Sequence, residues 1–429
     1  MNLPRMVIAA ALICTTGQAL ALTLEEAVLS TLRTNPDILA SQHNVEAAEQ
    51  LYRQARGGYF PTVDIVLAGG RENSNNSTTR ATGIDELRLT REERSIRLRQ
   101  LLYDGFATSS LVAQQSALVD AASARLSSTE ENTSLRAIQV YLEVLRREAV
   151  VTLAKENLGH HEATLGKIQE RFESGVGTRV DVVQTQGRKS QSRSNLMLAE
   201  RDAQNGVAEF FRVVGLQPES LDAPEDTPNL PSTLEAALAI ALQNNPQLRV
   251  AEAELAAAVA AHRQARGAFH PRFDLEVGAS RNDDTDGVPG ANDDETAVIR
   301  MTYNLFRGGS DRARLNEVEA REFAARENVN SLRRAVTEDV TLIWNELQDI
   351  LVRLEYLEAY VTATEEVLTV YNEQLSLGKR TLLDVLDVQN ELLRAKVAYV
   401  SGRYTLVLAR YRVLASVGQL LEKLDIDAR

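Results

Sequence analysis

Val336-Thr337-Glu338-Asp339-Val340-Thr341-Leu342-Ile343-Trp344-Asn345-Glu346-Leu347-Gln348-Asp349-Ile350 carries the pattern that decides the fold. Its apolar residues fall at Val336, Val340, Ile343, Leu347 and Ile350, in steps that alternate four and three. The series continues through Leu354, Leu357 and Val361, then Thr364, Leu368 and Tyr371, to Leu375. A seam of period 3.5 held this long predicts a coiled coil rather than a globular-domain helix. No Pro interrupts it. From Asp311 to Ser376 a continuous helix would span roughly 100 Å at 1.5 Å per residue. Gly378 stops it, and Leu382, Leu383, Val385, Leu386 and Val388 open another helix. The expected element is a very long helical hairpin with its tip at Leu377–Thr381.

Composition agrees with long helices. Aromatics are 5% of 429 residues and Pro numbers 10, which suits rods better than a compact α/β enzyme. The net charge of −13 argues against nucleic acid, which needs a basic footprint. The N-terminus reads as a secretory signal over residues 1–21. Arg5 supplies the positive charge, Met6 to Cys14 the short apolar run, and Ala19-Leu20-Ala21 the small-x-small cleavage site before Leu22. A buried N-terminal helix is the alternative. Cys14 is the only cysteine, and it would leave with the signal; Ile13 is too bulky for a lipoprotein site there. The mature chain is then free of disulfide, thiol and Cys-metal chemistry. No other apolar run reaches the roughly 18–20 residues of a transmembrane helix.

The two halves match. Thr23-Leu24-Glu25, Asn35-Pro36 and Arg53-Gln54-Ala55-Arg56-Gly57 recur 210 residues later as Thr233-Leu234-Glu235, Asn245-Pro246 and Arg263-Gln264-Ala265-Arg266-Gly267. Further on the offset is 203: Gly175, Thr178, Asp181, Val182 and Gln186 match Gly378, Thr381, Asp384, Val385 and Gln389. This is an internal duplication, with repeats over 22–215 and 232–429. The join, 216–231, holds four of the ten prolines and cannot be a regular helix. Each repeat reads as a short helix (Leu24–Arg33, Leu234–Gln243) broken at Asn-Pro. A second helix, two strands, a long helix and a return helix follow. The first long helix, about Ala107 to Glu173, has a poorer seam: Val140, Val144, Val151, Leu158, Leu165, Ile168 and Phe172, with Arg147 and His161 intruding.

The strands alternate. Phe273, Leu275 and Val277 oppose Asp274, Glu276 and Gly278; Val63, Ile65 and Leu67 lead the first-half equivalent; Ile299 and Met301 lie on a returning strand. Segments of about 10 residues with period two suit a membrane β-barrel. An ordinary two-sided sheet on a helical core is the alternative. Four strands cannot close around lipid, where every backbone group must be paired, so a spanning version must pool strands from several chains. Val63, Ile65, Leu67, Phe273, Leu275, Val277, Ile299 and Met301 are the expected lipid-facing residues. Gln100 interrupts that face and is expected near the headgroups. Residues 71–94 and 281–295 are expected as polar loops. The aspartates of the second lack EF-hand spacing, and a solvated loop is the simpler reading beside a calcium site.

Catalytic motifs are missing. His161-Glu162 begins like a zinc-protease helix, but Leu165 stands where the second His is required. Gly166-Lys167 lacks the Gly of a P-loop, and no Gly-x-Ser-x-Gly occurs. The expectation is no enzyme, no cofactor and no metal site.

Ser174-Gly175-Val176-Gly177-Thr178-Arg179-Val180-Asp181-Val182-Val183-Gln184 and Leu377-Gly378-Lys379-Arg380-Thr381-Leu382-Leu383-Asp384-Val385-Leu386-Asp387-Val388-Gln389, set in the duplicated unit, resemble the TolC family of outer-membrane channel proteins. Leu102-Tyr103-Asp104-Gly105-Phe106 is similar to the branch serving type I secretion of large proteins. The resemblance implies a mostly α fold with a transmembrane β-barrel: a homotrimer whose strands form a barrel of about twelve in outer-membrane lipid, continued by a periplasmic helical tunnel. It implies a passive exit duct for protein or small molecules. The duct would open when a periplasmic adaptor and an inner-membrane ABC or proton-driven transporter engage the tips, at Gly175, Val176, Gly177, Thr178, Gly378, Lys379, Arg380 and Thr381. It also implies a periplasmic gate, closed by carboxylate rings at Asp384 and Asp387 and latched by Arg380 with Asp181. Leu375 departs from the family, which has a Tyr there. A soluble periplasmic coiled-coil scaffold is the competing reading.

Overall fold

The structure is a computed structural model that describes residues 21–224 and 229–426. The expected signal peptide, Cys14 included, lies almost wholly outside these residues, as does part of the Pro-rich join. Among the described residues no helix is long and apolar enough to cross a membrane.

The first half runs α1 (Leu24–Thr34), α2 (Pro36–Gly57), β1 (Thr62–Ser74), α3 (Ser77–Ala81), β2 (Leu87–Tyr103), α4 (Ala107–Glu173) and α5 (Arg179–Val214). The second runs α6 (Leu234–Asn244), α7 (Pro246–Arg266), β3 (Arg272–Thr285), β4 (Val288–Thr302), α8 (Ser310–Ser376), α9 (Leu382–Ser416) and the short α10 (Leu420–Lys423). Local chemistry sets the boundaries. Thr23 and Glu26 close a capping box at the start of α1. Asn35 is extended before Pro36, and its side chain accepts from the Asp37 N–H (3.0 Å) and donates to the Val213 carbonyl (3.1 Å). Gly215 ends α5 in the left-handed region (φ 79°).

The chain forms two compact units, each drawing on both halves of the sequence. Among the described residues, one comprises those up to Leu39, those of Glu130–Ala241 and those from Asp339 onward; the other comprises Ala40–Thr129 and Leu242–Glu338. In the first, the seam of α8 behaves as its period predicts. Val340, Ile343, Leu347 and Ile350 are buried, and Ile343, Leu347 and Ile350 pack on Ala409 and Val413 of α9. The poorer seam of α4 buries Val140, Val144, Leu165 and Ile168 but leaves Phe172 exposed, against expectation. One turn from the tip, helical spacing no longer forces a residue onto a partner. Leu22 forms a parallel bridge with Leu221, and the Tyr141 hydroxyl lies 2.7 Å from the Leu22 carbonyl oxygen and 2.6 Å from that of Asp222.

In the second unit the four strands form one antiparallel sheet in the order β1-β2-β3-β4. The strands outrun the expected loops. β1 pairs with β2 out to Ser74↔Leu87, and β3 with β4 out to Thr285↔Val288. Hydropathy ends the apolar band but not the ladder, because pairing is made by backbone groups and polar side chains tolerate it. Beyond the band, side chains join the strand ends instead. Glu72 accepts from the backbone N–H groups of Asp286 (3.2 Å) and Gly287 (2.9 Å) and from Arg91 (2.7 Å), while Asn76 donates to the Asp286 carbonyl (2.8 Å).

Candidate functional site

Two places draw the predicted residues together. The first is the pair of helical tips. Gly175 (φ 77°) and Gly378 (φ 71°) take the left-handed conformation that reverses the chain. At Gly177 a Cβ would meet the Phe172 backbone nitrogen at 3.0 Å, so a side chain there would be crowded. Val176 and Lys379 are exposed at the ends.

Thr178 and Thr381 then cap α5 and α9 in the same way. The Thr381 hydroxyl accepts from the Asp384 N–H (3.3 Å), and the Asp384 carboxylate accepts from the Thr381 N–H (3.1 Å) and hydroxyl (2.7 Å). Asp181 repeats this with Thr178 at 3.2, 3.3 and 2.8 Å. Asp384 is thus a capping residue whatever else it does. The bonds from Thr381, and then the nearby Arg380 charge, hold its carboxyl below the usual range.

The other predicted gate residues have the following partners within the chain. Asp387 is exposed and pairs with Arg188 of α5 at 2.6 Å. Arg380 does not meet Asp181 within the chain: its guanidinium lies over Tyr371 and its Nε donates to Gln374 (3.1 Å). Leu375, where the resemblance leads us to expect Tyr, packs with Ile168, Val182, Leu382 and Leu386 in an apolar cluster beneath the tips.

Behind that cluster lies a buried polar layer. Asn157 accepts from Ser192 (2.7 Å), and Gln389 donates to Thr164 (3.3 Å). His161 is fully buried, and neither ring nitrogen makes a hydrogen bond. Burial first, then the positive charge of Arg188, lowers its pKa against the opposing effect of Asn390, a balance that favours the neutral ring.

The second place is the sheet. Its register puts every predicted lipid-facing residue on one face. Phe273 is opposite Met301, and Leu275 lies between Gln100 and Ile299. Val63, Leu98, Val277 and Ala297 form the next row, then Ile65, Ile96 and Ala279, with Glu295 at the β4 end of that row. Leu67, opposite Arg94, begins the row that continues with Arg281 and Asp293, where the apolar band ends. The band from Phe273 to Ala279 is roughly 20 Å long at about 3.3 Å per residue. Gln100 sits within it, level with Leu275, and donates to the backbone carbonyls of Tyr59 (3.0 Å) and Leu101 (2.8 Å), which occupies both amide N–H groups there. The opposite face is charged. Arg272 grips Asp274 at 2.8 and 3.0 Å, and Arg300 and Arg99 share Glu276 at 2.9 and 3.4 Å.

Sequence reading by alternation missed the aromatics. Tyr103 stacks edge-on with Phe106 (5.7 Å) and His270 (6.5 Å), and tilts on Phe273 (6.3 Å). Tyr59, Phe60, Phe269, Tyr303 and Phe306 lie exposed beside the same strand ends. No aromatic occurs in 61–102 or 274–302. The available signal was position along the chain: aromatics flank the strands at one end only, as in an interfacial girdle.

A family model described as outer membrane efflux protein matches residues 28–216 and 237–419. The chain belongs to the outer membrane efflux protein family, the TolC channels. It is 28% identical to outer membrane efflux protein BepC of Brucella suis biovar 1 (strain 1330), over 94% of this chain and 87% of that one. It is 23% identical to alkaline protease secretion protein AprF of Pseudomonas aeruginosa (95% and 87% covered), and 21% identical to outer membrane protein TolC of Escherichia coli K12 (91% and 81%). The fold matches the crystal structure of a membrane protein from Pseudomonas aeruginosa with a TM-score of 0.82 at 20% identity, covering 92% of this chain and 93% of that one. Family members are transport proteins of the outer membrane, and this is where the protein resides, its long helices forming the periplasmic part of the fold. The soluble-scaffold reading falls with that membership.

Proposed function

We propose that three copies of this chain assemble into an exit duct of a tripartite transport system, and that the cargo includes protein. The observation that carries the assembly is the open sheet. β1 and β4 are its outer strands, of 13 and 15 residues, and neither has a second partner among the described residues. One face is an apolar band. Bare strand edges are not tolerated in hydrocarbon, so β1 of one copy pairs with β4 of the next until the sheet closes. The aromatic end of the strands faces the periplasm, where the helices begin. The mature chain starts at Leu22, and the two repeats meet over 216–231. At the tips, Val176-Gly177-Thr178 and Lys379-Arg380-Thr381 receive a periplasmic adaptor, behind which stands an inner-membrane ABC or proton-driven transporter. Asp384 and Asp387 line the closed periplasmic end.

Support for protein cargo is the secretion-branch turn at Leu102–Phe106 and the likeness to a protease secretion protein. Efflux of small molecules is the second reading, favoured by the likeness to an efflux protein. Comparing the secreted proteins and the drug tolerance of a deletion strain with its parent separates the two.

Single cysteines test the barrel. Val277→Cys and Ile299→Cys should resist a membrane-impermeant maleimide in intact outer membranes, while Gly278→Cys and Ser280→Cys on the other face should react through the lumen. Equal reactivity on both faces overturns the assembly.

A further inference from the structure

The ion pair between Arg188 and Asp387 bears on the gate. Asp387 lies on the first turns of α9 and is one of the two carboxylates placed at the closed end. Arg188 comes from α5 of the same chain, and Nη2 reaches Oδ1 at 2.6 Å. Both side chains are part-exposed, at 37% and 58%, so water and mobile ions reach the pair.

The neighbours sharpen the picture. Lys189, next on α5, is already paired with Glu162 of α4 at 3.0 Å, and Lys396, further along α9, with Glu365 of α8 at 2.7 Å. Asp384 and Asp181 have hydrogen bonds from their capping threonines, but no ion pair is formed by either among the described residues. The ring of His161, buried on α4, lies close enough for the Arg188 charge to act on it, so Arg188 sits where α4, α5 and α9 meet. At the position equivalent to Arg188 in the second repeat, 203 residues on, stands Glu391, whose carboxylate accepts from the Tyr360 hydroxyl at 2.8 Å. The two return helices therefore carry opposite charges at matched positions, and only the α5 charge is turned on the gate residue.

We propose that Arg188 is a specificity-determining counter-charge that neutralises Asp387 within each protomer and thereby sets the cation preference and divalent-ion affinity of the periplasmic constriction. This rests on the reading of Asp384 and Asp387 as gate residues. In a three-fold ring, two carboxylates per chain would give six negative charges. With Asp387 paired, the field is that of the Asp384 ring plus three compact ion pairs. Rings of carboxylates select cations and concentrate divalent ions, so pairing half of them weakens both properties. The duct then keeps a closed end that is not saturated by periplasmic divalent ions. Asp384 has no such counter-charge among the described residues; its Oδ2 is held on the Thr381 cap.

The test is planar-bilayer recording on purified trimers of wild type, Arg188→Gln, Arg188→Lys, Asp384→Asn and Asp387→Asn, with trimer integrity checked on gels. In 0.1 M KCl, Arg188→Gln should raise the cation-over-anion permeability ratio several-fold and shift magnesium block from the tip side to about tenfold lower concentration. Arg188→Lys should restore wild-type behaviour, which a loss of packing would not explain. The difference should vanish in 1 M salt, where screening acts over about 3 Å. If Arg188→Gln behaves as wild type while Asp384→Asn lowers the cation preference, the counter-charge is refuted and the gate assignment stands. If neither aspartate variant changes selectivity, the constriction lies elsewhere and both fail.

Discussion

The guanidinium of Arg380 lies over the ring of Tyr371, 4.3 Å from its centroid. These residues face each other across the tip of the second hairpin, so the contact ties the turn to the end of α8. It supplies a partner for Arg380 within the chain, one turn from Leu375.

Cation–π contacts at exposed sites are worth about 0.5–1 kcal/mol. Tyr371→Leu should therefore free Arg380 and raise the closed-state conductance, while Tyr371→Phe, which keeps the ring face, should not. Conductance of the two variants in bilayers checks this. Equal conductance in both would show that Arg380 is held by Gln374 or by a neighbouring protomer instead.

The membrane band gives a second expectation. Leu275 lies between Gln100 and Ile299 in the apolar rows. Arg at the midplane of such a barrel costs about 2–4 kcal/mol, so Leu275→Arg should reduce the yield of heat-modifiable trimer in outer-membrane fractions. The matched control is Ser280→Arg on the opposite face, beside Asp294. Glu276→Arg would be a poor control, although alternation alone recommends it. Glu276 is shared by Arg300 and Arg99, and a third guanidinium there would leave like charges together.

How far these features were legible depends on what carries the information. The α8 seam was readable because its burial is set by period, and Val340, Ile343, Leu347 and Ile350 are buried as expected. The face of each strand was readable for the same reason: a pleat has period two. Strand length was not readable, since Arg281, Asn282 and Asp283 pair through backbone groups that hydropathy does not report. The partner of Asp387 was not readable either. Arg188 lies 199 residues away, and no local pattern links an exposed arginine on one return helix to a carboxylate on the other.

Two glycines with similar backbone angles should respond differently to alanine. Gly105 (φ 66°) and Gly308 (φ 60°) stand at equivalent turns before α4 and α8. Left-handed backbone costs an L-residue roughly 1–2 kcal/mol at either place. At Gly105 a Cβ would also meet the His270 Cβ at 2.5 Å and the Gly267 carbonyl oxygen at 2.9 Å, whereas nothing lies within 4 Å of one at Gly308. Gly105→Ala should lower the thermal stability of the trimer well beyond Gly308→Ala. Similar melting temperatures would mean that the 267–270 turn moves aside without loss.

The last expectation concerns pH. Glu131 of α4 is 9% exposed, and its carboxyl accepts from the backbone N–H of Leu420 at 3.2 Å, at the start of α10. Burial pushes it up to about 7, against hydrogen bonds from Leu421 and Leu420 that favour the ionised form, with Glu130 and Glu422 adding repulsion. An unfolded carboxyl of this kind titrates near 4.5. Between these values the folded chain keeps a proton that the unfolded chain has lost, so the contribution to stability is full below 4.5 and falls as pH rises to 7. The C-terminal segment, anchored by the buried Leu420, Leu421 and Ile426, should loosen first. Amide exchange at Leu420–Ile426 should accelerate between pH 5 and 8 beyond the intrinsic rate. Glu131→Gln keeps an acceptor for the Leu420 N–H without a charge, and should hold the segment equally well across that range. Glu131→Ala leaves both N–H groups without an acceptor and should expose the segment at every pH. Protection that instead grows with pH in the wild type would show that the ionised carboxylate, not the acid, is what holds α10 in place.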